Sequence, residues 1–174
     1  MWMTIGVVVI LVLGVLGFAA TRPDDFTVQR STSIKAEPAK IYPLLVDFSQ
    51  WPVWSPWEKL DPTMKRTLSG NASGPGAVYA WDGSSKVGAG RMEIKEAAPA
   101  KVVIQLDFLK PFEAHNTADF TLAPRPDSIT EVTWQMRGPA PFISKLMGVF
   151  VDMDKMIGKD FEAGLANLKT AVEK

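Results

Sequence analysis

No cysteine occurs in the 174 residues, which excludes disulfides, thiolate nucleophiles and cysteine-ligated zinc together. Only one histidine is present, His115, so any Ser-His-Asp arrangement would rest on that single ring, and Glu113 beside it would be a partner too few for a metal. Charge of one sign is also missing. The chain has 19 Lys and Arg against 19 Asp and Glu, with no basic run that could follow a phosphate backbone, so nucleic acid is not an expected partner. What is present is the material of an ordinary packed domain, 47% hydrophobic and 22% charged. Tryptophan is concentrated: of 6 in the chain, Trp51, Trp54 and Trp57 stand together among Pro52, Pro56 and Pro62.

The first segment differs from the rest. Met1 to Thr21 carries no charged side chain, and a hydrocarbon layer about 30 Å thick needs roughly 20 helical residues to cross it. Residues 1–21 are therefore expected to be a single transmembrane anchor, with 22–25 as linker and 26–174 as the folded domain. A cleaved export signal fits less well, because no Lys or Arg precedes the apolar run and Gly17 and Ala19 meet only half of the Ala-x-Ala pattern. Arg22, Arg30 and Lys35 follow the segment but are mixed with Asp24 and Asp25, so the side of the membrane stays open.

Beyond the linker, Phe26, Val28, Arg30, Thr32 and Ile34 alternate with polar neighbours as in a half-buried strand. Glu37 and Pro38 then open a short helix with Ile41, Leu44, Leu45 and Phe48 at helical spacing, which Pro43 keeps short. From Thr63 to Met136, turn chemistry divides the chain into six further strands in antiparallel order. Alternation places Met92 and Ile94, then Val102, Ile104, Leu106 and Phe108, then Ala118, Phe120 and Leu122, then Val132, Trp134 and Met136 on one covered face. Arg91, Glu93, Gln105, Asp107 and Asp119 fall on the opposite, wet face. A single long amphipathic helix from about Phe142 to Val172 is expected to be the cover, with Leu146, Phe150, Met153, Ile157, Phe161, Leu165 and Leu168 on its apolar side.

Strand, short helices, six strands and a long final helix is the order of the helix-grip fold. The chain resembles the SRPBCC superfamily (START-like), in particular its polyketide cyclase/dehydrase-like branch, many members of which carry an N-terminal membrane helix. The resemblance rests on VQRSTSIKAEPAKIYPLLVDFSQWPVWSPW, GPGAVYAWDG, LDFLKPFEAHNTADFTL and the tail from MRGPAPF to NLK, and spans nearly all of Phe26 to Lys174. It implies an α+β fold in which a curved antiparallel sheet of about seven strands wraps a long C-terminal helix. It also implies a hydrophobic or lipid-like small molecule held between them, with no cofactor.

The expected lining is Trp54, Trp57, Tyr79 and Trp81 from the tryptophan segment and the next strand, then Met92, Ile94, Ile104, Leu106 and Phe108. Phe120, Trp134 and Met136 continue it, and Met147 and Phe150 complete it from the final helix. Trp51 is expected to pack only. Met side chains suit an adaptable pocket as well as an irregular core. No catalytic constellation stands out; Tyr79, Asp82 and Asp107 are the nearest to one, and His115 reads as a surface residue. The expected function is a membrane-tethered binder of an apolar molecule. The alternatives are a cyclase or aromatase acting on a polyketide-like substrate and a packed module that docks a partner protein.

Overall fold

The computed structural model describes the backbone of residues 2–174 and their side chains, apart from residues 2–5, 8 and 9. Helix α1 (Trp2–Ala20) leads into β1 (Asp25–Ile34) and α2 (Pro38–Val46). The tryptophan segment forms two 3-10 turns, Phe48–Val53 and Pro56–Lys59. Six strands follow: β2 (Lys65–Gly70), β3 (Ala77–Asp82), β4 (Ala89–Ala98), β5 (Lys101–Lys110), β6 (Ala114–Arg125) and β7 (Ile129–Pro139). The chain ends in α3 (Phe142–Phe150) and α4 (Met153–Val172).

The strands form one 7-stranded antiparallel sheet in the order β1-β7-β6-β5-β4-β3-β2. Consecutive hairpins build β2 to β7, and β1 closes the far edge by pairing with β7 from Asp25↔Pro139 to Ile34↔Thr130. The alternation read from the sequence is the face assignment: Val102, Ile104, Phe120, Leu122, Val132 and Trp134 are all buried. The β4–β5 ladder is irregular twice, with register shifts between Ala89 and Gly90 and between Ile94 and Glu96. This is an α+β helix-grip fold.

Helix α4 lies along β1 and reaches β7 and both 3-10 turns, while α2 rests on β6. Two glycines let α4 come this close. A Cβ at Gly164 would lie 2.8 Å from the Trp134 ring and 3.1 Å from Pro56, and one at Gly158 would lie 2.0 Å from Arg30 Nη2. Arg30 points from β1 into the groove that Gly158 leaves. There it donates to Asp154 at 2.9 Å and to Glu162 at 2.7 Å, tying the strand to the first and third turns of the helix.

Two expectations are corrected. The single helix over 142–172 is broken at Val151 and Asp152, both in extended backbone. Asp152 then caps the new helix by accepting from the Lys155 amide at 3.0 Å, the arrangement that short acidic side chains favour at a helix start. Helix α3 buries none of its residues and packs against α1 instead of the sheet.

The second correction concerns residues 1–21: among the described residues, no helix is long and apolar enough to cross a membrane, and the single-pass placement is overturned with it. Met1 lies outside the described residues.

Candidate functional site

The concave face of the sheet divides into two halves. Under α4, aromatic rings fill the space. Trp134 stacks on Phe161 at 4.1 Å with 4° between the planes, and on its other side lies Phe120 at 4.9 Å. Trp54 meets both Phe120 and Trp134 edge-on, and Trp57 meets Trp134 and Phe161 edge-on. Edge-on and offset contacts suit the ring quadrupoles, and each is worth roughly 0.5–1.5 kcal/mol beyond the burial itself. The prolines set these rings on short, stiff turns. Two of the turn indoles are hydrogen-bonded: Trp54 Nε1 donates to the Leu44 carbonyl at 3.0 Å and Trp51 Nε1 to that of Leu45 at 3.3 Å.

Toward β3, β4 and β5 the cover thins. Among the described residues, the main helix–sheet contacts fall on β1, β6 and β7, and β3 is met by the first 3-10 turn. Trp81, Met92 and Phe108 are only half-buried here, with Trp81 edge-on to Phe108 at 5.8 Å. Ile94, Ile104 and Leu106 form the floor and are buried. These side chains make an apolar wall that is not closed over by a helix.

A polar cluster borders this half. Tyr79, 4% exposed, donates its phenol proton to Glu58 Oε1 at 2.5 Å, and Arg66 Nε reaches Glu58 Oε2 at 2.5 Å. Burial, followed by the hydrogen bond to Glu58, pushes the Tyr79 phenol well above its ordinary range, so it stays protonated through the physiological range. The Glu58 side chain is nearly enclosed while Arg66 is partly open to water. The cluster joins the second 3-10 turn to β2 and β3 at the free edge of the sheet.

The other titratable candidates face away. His115 Nδ1 lies 2.8 Å from Asp107 Oδ1 on the outer face. That hydrogen bond raises the imidazole, and although partial burial works the other way on Asp107, His115 and Gln105 hold its carboxyl below the usual range. Asp82 is exposed and pairs with Lys110 at 3.3 Å. A separate open cleft of about 310 Å³ lies between Asp47–Ser49 and the β2–β3 hairpin. Its polar walls are already occupied: Asp47 Oδ1 accepts from Ser49 N and Oγ, and Asn71 Nδ2 donates to the Pro75 carbonyl.

The expected lining residues are thus distributed unequally. Trp54, Phe120 and Trp134 stand in the ring-filled half, and Trp57 at its border. Tyr79, Trp81, Met92, Ile94, Ile104, Leu106 and Phe108 line the thinly covered half, with Met136 buried between the two. Met147 and Phe150 are elsewhere, 45% and 74% exposed on α3. Sequence reasoning missed Glu58, Arg66 and Asn116. The last had a signal: counting by twos from Phe120 puts Asn116 on the apolar face, a polar residue in a covered row.

Solved structures share this architecture. A protein from Thermobifida fusca is 24% identical, with 82% of this chain and 90% of that one covered at a TM-score of 0.61. A protein from Helicobacter pylori is 11% identical over 89% of this chain and 92% of that one, at a TM-score of 0.63. StfQ, the di-domain ARO/CYC from the steffimycin biosynthetic pathway, is 10% identical over 86% of this chain and 51% of that one, also at 0.63. At such identities the likeness is one of fold. No curated protein matches the sequence. A family model does: that of polyketide cyclase / dehydrase and lipid transport aligns with residues 25–173, the whole of the sheet, both 3-10 turns and the two final helices, and the chain belongs to this family.

Proposed function

We propose that this protein binds a hydrophobic or amphipathic small molecule, lipid-like in character, on the concave face of its sheet, and performs no chemistry on it. One observation carries the reading: a continuous apolar wall of Trp81, Met92 and Phe108 is left partly uncovered beside the ring-filled half. Apolar area of this kind gains roughly 25 cal/mol per Å² when a ligand removes it from water. Family membership supports the same reading, since lipid transport is one of the activities the family is named for. Native mass spectrometry of the full chain, purified without denaturant, is expected to show a retained apolar molecule, and naphthalene is expected to quench tryptophan fluorescence saturably. A chain that retains nothing and gives only a linear, unsaturable response would sink the proposal.

A second reading, a cyclase-type enzyme acting on a polyketide-like substrate, is favoured by the Tyr79–Glu58 pair, a phenol and a carboxylate in contact at the border of the apolar wall. Such a pair can hold and move a proton. Under this reading Tyr79→Phe and Glu58→Gln would each remove turnover while leaving ligand binding in place. Under the carrier reading no turnover exists to remove.

A further inference from the structure

Among the described residues, two buried side-chain polar atoms have no hydrogen-bond partner, Asn116 Oδ1 and Trp134 Nε1. Their residues are 5% and 3% exposed. Both stand on the concave face, on the adjoining strands β6 and β7, with the pair Ala118–Met136 between them. Gly138 makes the room that Asn116 occupies: a Cβ there would lie 2.0 Å from Asn116 Oδ1. On its other side Asn116 faces Leu106 of β5, next to half-buried Phe108, and so borders the thinly covered wall.

Everywhere else the interior is careful about such groups. The indoles of Trp51, Trp54 and Trp81 all find a carbonyl, and Thr130, fully buried, donates to the Ala36 carbonyl at 2.6 Å. A buried polar atom left dry weighs against folding by a factor of about five to a hundred relative to a paired one. Two such atoms on one face of one sheet, one an acceptor and one a donor, describe the missing partner by its chemistry.

We propose that Asn116 and Trp134 are the polar anchors of the ligand site, and that the ligand is a neutral hydrophobic molecule carrying a hydroxyl. The hydroxyl donates to Asn116 Oδ1, and an oxygen of the ligand accepts from Trp134 Nε1. A carboxylate is disfavoured, because taking its charge out of water costs far more than burying a neutral hydroxyl. The inference rests on the hydrophobic-binder reading and narrows it to a class.

The test uses the full chain and four probes of one shape: naphthalene, 2-methoxynaphthalene, 2-naphthol and 2-naphthoate, titrated by tryptophan fluorescence. 2-Naphthol is expected to bind about five- to tenfold more tightly than naphthalene or 2-methoxynaphthalene, neither of which can donate, and 2-naphthoate more weakly than 2-naphthol by tenfold or more. Asn116→Leu should abolish the preference for 2-naphthol over naphthalene, the ratio of the two affinities being the readout. It should also raise the melting temperature of the ligand-free chain, since an unpaired acceptor is removed. The Trp134 indole N–H resonance, assigned by its loss in Trp134→Phe, should shift with 2-naphthol and stay in place with naphthalene.

If naphthalene binds and 2-naphthol gains nothing over it, or if Asn116→Leu keeps the preference, the anchors are wrong while hydrophobic binding stands. Tightest binding of 2-naphthoate would overturn the neutral class. If none of the four probes binds, both this inference and the reading beneath it fail.

Discussion

Helices α3 and α4 come from one stretch of sequence with one apolar period, yet the structure uses them in opposite ways. Helix α4 buries Gly158, Phe161, Gly164, Leu165 and Leu168 against the sheet, while α3 buries nothing and leaves Phe142, Ile143, Met147 and Phe150 exposed. The difference lies in what faces them. The groove for α4 is prepared by residues far away in sequence, Arg30 on β1, Trp134 on β7 and Pro56 in the second 3-10 turn, each fitting where a glycine omits a side chain. Helix α3 meets α1 instead and buries none of its residues there. An amphipathic pattern states that a helix has an apolar side; whether that side is buried depends on a complementary surface.

The largest effect that would test this contrast is Phe161→Ala. Phe161 is 1% exposed and stacked on Trp134, so its truncation is expected to cost about 3–5 kcal/mol, read from urea unfolding midpoints. Phe150→Ala on the exposed α3 should stay within about 0.5 kcal/mol. Equal shifts for the two would mean the helices are equally engaged, and the contrast would collapse.

Glycine substitutions sharpen it by sign. Gly164→Ala puts a methyl against Trp134 and Pro56 and should cost about 1–3 kcal/mol through overpacking. At Gly148 in α3 a Cβ meets nothing within 4 Å, so Gly148→Ala should instead stabilise by up to about 1 kcal/mol, the gain in helix propensity alone. Thermal melts of the two single variants give the comparison directly.

The smallest effect is one of pH. The Lys155 amide holds the Asp152 carboxyl below its usual range, and Arg30 does the same for Asp154, both at the start of α4. A carboxyl depressed in the folded state contributes stability above its unfolded value of about 3.9, and this is lost as pH falls through the lower folded value. Unfolding midpoints should therefore drop below about pH 4, and the drop should shrink in Asp154→Asn. An unchanged acid limb in that variant would show that the Arg30 tie is not what secures α4.

Much of the architecture was legible. Period-two alternation located the covered face of β5, β6 and β7, because a strand cannot shift by one without reversing every side chain, but Asp119, read as wet, is 5% exposed and pairs with Arg137. It even placed Arg30 inward, although not its partners, which lie more than a hundred positions away. The helix break was harder. Val-Asp-Met-Asp-Lys contains an N-cap residue in Asp152, but the uninterrupted apolar period around it outweighed that local signal. The candidate site was legible as a set of side chains and not as a place. Trp54 and Trp81 are both tryptophans near a turn, yet one is sealed among rings and the other borders an uncovered wall.

The sequence alone determined the packed α+β domain, the antiparallel hairpins after the first helix, the covered face and the absence of cysteine chemistry, because these follow from composition, local period and turn residues. Tertiary structure alone decided which half of the concave face is filled, which helix is gripped, and that Glu58 meets Tyr79 and Arg66. It also decided that Asn116 and Trp134 stand unpaired. Each of these depends on which distant side chains arrive at the same point, and a local pattern carries no information about that.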